Sequence, residues 1–213
     1  MNRVRGAYLH SELHSHPAQQ QLDAWHKDRQ RWRHQHPVTA ALAEPLEIVP
    51  VSSPRVPTAT TDGRKVLFNP AWSTMLDDAR RDFLQAHLVW HAAAGDYRGV
   101  ACTDKRRWHL ACDHAVNTQL LHLAFPLPED TVLFPAAVAW PVLKVYAWLA
   151  NHHWLEAEKS PDTLCWQIDL PSSPELLTTL DSDWRRHIHT VVASYLGTPW
   201  LPDHVAAWLL TRR

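Results

Sequence analysis

Asp77-Asp-Ala-Arg-Arg-Asp-Phe-Leu-Gln-Ala-His87-Leu-Val-Trp-His91-Ala-Ala-Ala-Gly95 is the stretch that sets the fold. Leu76, Phe83, Leu84, His87, Leu88 and His91 recur at the period of one helical face, over about five turns. Gly95 stands where such a helix stops, because glycine accepts the left-handed conformation of a C-terminal cap. His87 and His91 are four apart, so their imidazoles leave one face a turn apart and can reach a single zinc ion. Spacing alone is a weak signal here, since a chain with 16 histidines makes such pairs by chance.

The flanking sequence supplies the context. Upstream, Thr58-Ala-Thr-Thr-Asp-Gly-Arg-Lys-Val-Leu-Phe sets an Asp62-Gly63 turn between two β-favouring runs and predicts a hairpin whose returning strand ends at Asn69-Pro70. Leu46-Glu-Ile-Val-Pro-Val predicts a further short strand, pushed to an edge by Pro50. Residues 11–44 are polar and rich in His and Gln, with Leu22, Trp25 and Trp32 on one face, and read as one or two helices. Downstream, helices are predicted over Trp108–Ala124, Val138–Trp154 starting near Pro141, Trp184–Leu196 and Asp203–Leu210. Residues 159–175 read as a proline-punctuated loop with a possible strand at Leu164-Cys-Trp-Gln-Ile. These elements define an α+β fold: a helical body with a small antiparallel hairpin or three-stranded sheet packed on it.

Composition narrows the function classes. At 213 residues and 46% apolar, the chain has material for one sizeable core. Twenty-one Lys and Arg against 22 Asp and Glu remove the electrostatic term that dominates nucleic-acid binding. Cys102, Cys112 and Cys165 are odd in number and lack CxxC spacing, which speaks against a disulfide framework or a Cys-type zinc site and suits a cytoplasmic protein. Neither a secretory leader nor a membrane span is expected from the apolar runs, and no GxxxxGK[ST], GxGxxG or GxSxG loop is present.

The helix after the HxxxH helix contains Leu110-Ala-Cys-Asp-His-Ala-Val-Asn, with Asp113 and Asn117 one turn apart. Where two zinc ligands share one helix, the next helix commonly supplies the third, with a polar neighbour orienting the shell. Asp113 is therefore a candidate ligand and equally an ordinary helix-face carboxylate. Taken together, Pro57-Thr-Ala-Thr-Thr-Asp-Gly-Arg-Lys-Val-Leu-Phe-Asn-Pro, His87-Leu-Val-Trp-His-Ala-Ala-Ala-Gly-Asp and Ala111-Cys-Asp-His-Ala-Val-Asn resemble a metallopeptidase-like domain family. That family is found with MoxR-type AAA ATPases and ahead of von Willebrand A-like modules. The resemblance covers roughly residues 45–155, and Trp184-Arg-Arg with the final helix resembles more loosely the linker ahead of that module.

The resemblance implies a zincin-like domain over 45–155, an N-terminal helical extension over 1–44, and a C-terminal helical part of the same domain over 156–213. It places ligand histidines at His87 and His91, with the following aspartate and asparagine at Asp113 and Asn117. It implies zinc as cofactor and an AAA ATPase or von Willebrand A protein as partner. Two positions depart from it. Leu88 stands where the family has the glutamate of HExxH, and Asp96 where it tends to have a further histidine. In HExxH chemistry the glutamate takes a proton from the zinc-bound water and delivers it to the leaving amine, which leucine cannot do. Asp96 lies more than two turns beyond Leu88, too far along the axis to serve as a replacement base.

Three readings stay open on the sequence. The first is a catalytically degenerate, metallopeptidase-like binding or scaffold subunit, with or without metal on His87, His91 and either Asp96 or Asp113. The second is a zinc hydrolase with a non-standard base. The third is a metal-free helical interaction protein. Cys112 points roughly 100° from Asp113 and should lie off the metal face. The C-terminal tryptophans, Trp140, Trp148, Trp154, Trp184 and Trp208, read as core, and Trp200, in a loop between Pro199 and Leu201-Pro202, is the best candidate for a partner anchor.

Overall fold

The computed structural model describes residues 5–151, 159–167 and 173–211. Helix α1 (Arg5–Gln35) is followed by the short α2 (Pro37–Ala43), whose first residue is a proline with no amide hydrogen to lose. Strands β1 (Glu47–Pro50), β2 (Ala59–Thr61) and β3 (Lys65–Phe68) come next, then α3 (Pro70–Ser73), α4 (Asp78–Ala94) and α5 (Lys105–His122). A 3₁₀ turn at Pro135–Ala137 leads to α6 (Val142–Leu149), a second at Cys165–Gln167 follows, and α7 (Pro174–Tyr195) and α8 (Asp203–Leu210) end the described chain. No helix among the described residues is long and apolar enough to cross a membrane.

The fold is mainly helical with one three-stranded sheet, and the sheet is mixed rather than antiparallel. Strand order is β1-β3-β2. The hairpin makes β2 and β3 antiparallel, with Thr61 opposite Val66. Residues 51–58 then carry the chain from one edge of β3 to the other, so β1 runs parallel to β3, with Ile48 opposite Val66. Gly63 makes the hairpin turn at φ 82°, and a Cβ there would sit 2.5 Å from the Tyr97 ring. Its carbonyl also accepts from Trp184 Nε1 at 2.7 Å, which fixes the turn to α7.

Helix α1 is tied to the sheet and to α4 by large and charged groups. Trp25 stacks on Phe68 with ring centroids 4.5 Å apart and donates to Ser73 Oγ, while Trp32 donates to Asp82. Arg81 pairs with the fully buried Asp28 through two hydrogen bonds, and Arg29 spans Gln85 and the carbonyls of Ala43 and Leu46. One core cluster takes in α1, α2, the sheet, α4, α7 and α8. A second joins the other face of α5 to residues 132–137, α6 and Leu164. His114 staples that face, accepting from Phe134 N at Nδ1 and donating from Nε2 to the Ala137 carbonyl. The seam between the two clusters runs between α4 and α5.

Several boundaries differ from the sequence reading. Helix α7 begins ten residues before Trp184, because Ser173 caps it by accepting from Leu176 N and Pro174 takes the first turn. Helix α6 is confined to Val142–Leu149, with Pro141 as its cap; residues 152–154, Trp154 among them, lie outside the described residues. The predicted strand at Leu164 is a 3₁₀ turn, and Ile168 lies outside the described residues. Trp184 is buried and Trp208 packs on Trp90, whereas Trp200 is 48% exposed.

Candidate metal centre

Helix α4 starts where the Asp77 carboxylate accepts from Arg80 N, and it ends in a Schellman turn. In that turn Gly95, at φ 85°, lets Gly95 N reach Ala92 O and Asp96 N reach His91 O. The chain folds back so tightly that the Asp96 carboxylate meets the last ligand-type residue of the helix, with Oδ2 2.8 Å from His91 Nδ1. The other imidazole is held from the neighbouring helix. His87 Nδ1 lies 2.8 Å from Asn117 Oδ1, and the Asn117 amide donates to Val132 O at 2.9 Å, which fixes which way that amide faces.

These outer partners determine the tautomers. An amide oxygen and a carboxylate oxygen only accept, so both Nδ1 atoms carry hydrogens, and in the neutral rings both Nε2 atoms present lone pairs. The two Nε2 atoms face each other at 2.9 Å in a site with no solvent exposure. Two lone pairs at that distance repel unless a proton on one ring or a metal ion beside both relieves them.

Two carboxylates converge on the same point. Asp113 Oδ1 is 3.2 Å from His91 Nε2 and 3.7 Å from His87 Nε2, and although it is buried no well-aligned hydrogen bond reaches it. Its other oxygen accepts from Ser160 Oγ. Asp162 Oδ1 is 3.6 Å from His87 Nε2. His109, one turn before Asp113 on α5, sets its Nε2 2.9 Å from Asp162 Oδ1 and 3.2 Å from Asp113 Oδ1.

His87, His91, Asp113 and Asp162 thus form a buried group whose ligand atoms all lie within 4.8 Å of one another and could hold a metal ion. Four donors around one tetrahedral zinc stand about 3.3 Å apart, given bond lengths near 2.0–2.2 Å. Four of the six separations, 2.9–3.7 Å, bracket that value, and the remaining two lie within 4.8 Å. Two neutral imidazoles and two carboxylates also balance a dication, which a buried site requires. The orphaned Asp113 oxygen and the opposed Nε2 atoms fit a bound cation on both counts.

Electrostatics in the metal-free arrangement point the same way. Burial opposes protonation of His87, but hydrogen bonds and charge from Asp113 and Asp162 outweigh it and raise its pKa to about 10. Burial and the neighbouring His87 oppose protonation of His91, and Asp113 and Asp96 again prevail and raise it. His109 is raised well above the usual imidazole range by Asp113 and Asp162 against the same burial. Burial pushes Asp113 and Asp162 upward, yet the His109 charge and the histidine hydrogen bonds hold both below the usual carboxylate range. The centre is a sink for positive charge.

A pH dependence follows with a definite sign. His87 holds a proton at neutral pH in the metal-free site, so metal must displace it. Apparent zinc affinity should rise by about tenfold per pH unit for each proton displaced, between pH 6 and 8. Competition titrations against a chelator across that range check this. In the metal-free protein the raised histidines contribute stability in full below their unfolded value of 6.5, lost as pH climbs towards the folded value of about 10 for His87. The depressed carboxylates contribute above 3.8, and that share is lost as pH falls through their folded values.

The structure brings His87, His91, Asp113 and Asn117 together, with Asn117 behind His87 rather than at the centre. Asp96, a candidate ligand on the sequence, lies against His91 and outside the four-residue group. It binds Nδ1, on the far side of the His91 ring from the Nε2 cluster, because the Schellman turn returns it behind the helix end. Asp162 and His109 were not singled out from sequence. His109 carried a usable signal, since it lies four residues before Asp113 on the same helix face. Asp162, 53 residues after His109 in an irregular stretch, carried none. Leu88 turns into the apolar core at 0% exposure, and Cys112 packs in the second cluster, away from the group.

A helix-borne histidine pair with oriented Nδ1 atoms, facing a carboxylate on the next helix, is a donor set that could hold a metal ion. A scan of protein-family models matches residues 21–159 to the family described as "Putative metallopeptidase domain", and the chain belongs to that family. The match spans His87, His91, Asp113 and Asn117 and stops short of Asp162. Neither a search of curated proteins nor one of solved structures returned a match.

Proposed function

We propose that this domain binds one zinc ion through His87, His91 and Asp113 and has no peptidase activity, serving as a binding or scaffold subunit beside an AAA ATPase or a von Willebrand A-type protein. The observation that carries the zinc reading is the pair of Nε2 atoms opposed at 2.9 Å, each aimed inward by a partner on its Nδ1. An imidazole and carboxylate donor set of this size suits zinc. Zinc bound there supplies a fixed double charge. The chain's own residues orient the imidazoles, exclude water and link α4 to α5.

The absence of proteolysis rests on what the chain offers as a base. Position 88 is an apolar side chain inside the core. The carboxylates near the centre are each engaged: Asp113 by Ser160, Asp162 by His109 and Asp96 by His91. General acid-base assistance is worth about 10²–10⁴-fold, so a site without it turns over too slowly to act as a peptidase. The partner assignment rests on the company this family keeps. Co-purification of the tagged chain with an AAA ATPase or a von Willebrand A protein tests it, and recovery of neither from the native host would remove it. Metal analysis combined with a peptide-cleavage assay tests the rest: the account expects bound zinc and no chelator-sensitive cleavage.

A further inference from the structure

We infer that Asp162 is an internal fourth ligand that closes the coordination shell, occupying the position a catalytic zinc site leaves to water. The inference rests on the zinc reading above and adds to it why substrates would be kept from the ion. Structural zinc sites are four-coordinate with protein ligands alone, whereas catalytic sites keep three protein ligands and one open position. His87, His91 and Asp113 make the three. Asp162 Oδ1, 3.6 Å from His87 Nε2, is the fourth donor in the same buried group.

Residues 159–167, which carry Asp162, are fastened at several points. Ser160 Oγ donates to Asp113 Oδ2, and His109 Nε2 lies 2.9 Å from Asp162 Oδ1. Thr163 N donates to Ala59 O on β2 at 3.0 Å. Leu164 and Cys165 are buried, and Cys165 Sγ reaches Tyr97 O at 3.2 Å. Trp166 Nε1 donates to Asp96 O at 3.1 Å, in the turn that orients His91. Anchors on β2, on α5 and on the α4 end turn hold the carboxylate in place as a wall.

That wall has something to exclude. A cleft of about 450 Å³, lined by Trp72, Phe83, Leu84, Asn117, Ser160 and Pro161 among others, approaches the centre from one side. Phe83 and Asn117 both adjoin His87, with the Phe83 ring centroid 5.6 Å from the imidazole. Ser160 and Pro161 form part of the cleft lining, and the next residue is the fourth donor. A peptide lying in this cleft meets the Asp162 segment instead of an exchangeable position on the ion.

The test uses cobalt(II) in place of zinc, because its visible absorption reports coordination number and ligand exchange. Protein of the natural sequence and Asp162→Ala are loaded with cobalt(II), and azide is titrated into each. The expected result is a four-coordinate spectrum insensitive to azide in the natural sequence, and a saturable azide-dependent shift in Asp162→Ala. Asp162→Asn serves where the alanine variant does not fold. An azide-dependent shift in the natural sequence would overturn the inference, because a free position would then exist with Asp162 present. So would a cobalt-loaded variant indifferent to azide. If the natural sequence takes up no cobalt or zinc at all, the zinc reading itself fails, which is a separate result.

Discussion

Leu88→Glu restores the letters of an HExxH motif and is expected to destabilise the protein by about 3 kcal/mol or more without creating a peptidase. Leu88 is fully buried within the main core cluster, and the residues one turn away on either side, Leu84 and Ala92, are buried in the same cluster. A glutamate there either ionises without a partner in an apolar surrounding or stays protonated at the expense of a raised pKa, and both cost free energy. Against a total stability of about 5–15 kcal/mol, that loss is large. Leu88→Met keeps volume and polarity and should cost less than about 1.5 kcal/mol. Urea unfolding of the three proteins checks the order. A Leu88→Glu protein of unchanged stability that cleaves peptides in a chelator-sensitive way would show that position 88 faces the metal and that one substitution accounts for the lost activity.

Removing the first histidine should have the largest effect on metal. Apparent binding free energies of structural zinc sites are about 10–16 kcal/mol, shared among four ligands, so His87→Ala is expected to weaken zinc binding by about a hundredfold or more. The same change also leaves Asp113 and Asp162 facing each other with one cationic partner fewer. The variant should therefore lose stability in the metal-free state as well. Asn117→Ala separates the two effects. It leaves every donor in place and removes the His87 Nδ1 partner, together with the bond to Val132 O, so a smaller loss of about 10–100-fold is expected. Zinc titration against a competing chelator reads both variants. Equal affinities in His87→Ala and the natural sequence would remove His87 from the site.

How much of this was legible in the sequence depends on how local the determinant is. The HxxxH helix could be read because its face repeats with the helical period and a glycine marks its end, both properties of contiguous residues. The hairpin could be read for the same reason, from Asp62-Gly63. The parallel pairing of β1 could not, because it depends on where residues 51–58 carry the chain and not on any residue in the strand. Asp113 and Asn117 came from a motif, and the structure then divided them between the centre and its orienting partner. Sequence distance from Leu88 does not show that the Schellman turn puts Asp96 behind His91. Asp162 lies in a stretch with no period and no motif, brought to the centre by tertiary anchors at Ser160, Thr163 and Trp166. The start of α7 was a local signal passed over, since Ser173-Pro174 is an ordinary helix opening.

The most direct test is the metal content of the 213-residue chain, purified without a histidine tag, exposed to zinc and dialysed against metal-free buffer. The account predicts one zinc per chain, lost in the doubly substituted His87→Ala, His91→Ala protein. A natural-sequence protein that retains no zinc, or a double variant that retains as much, would contradict it.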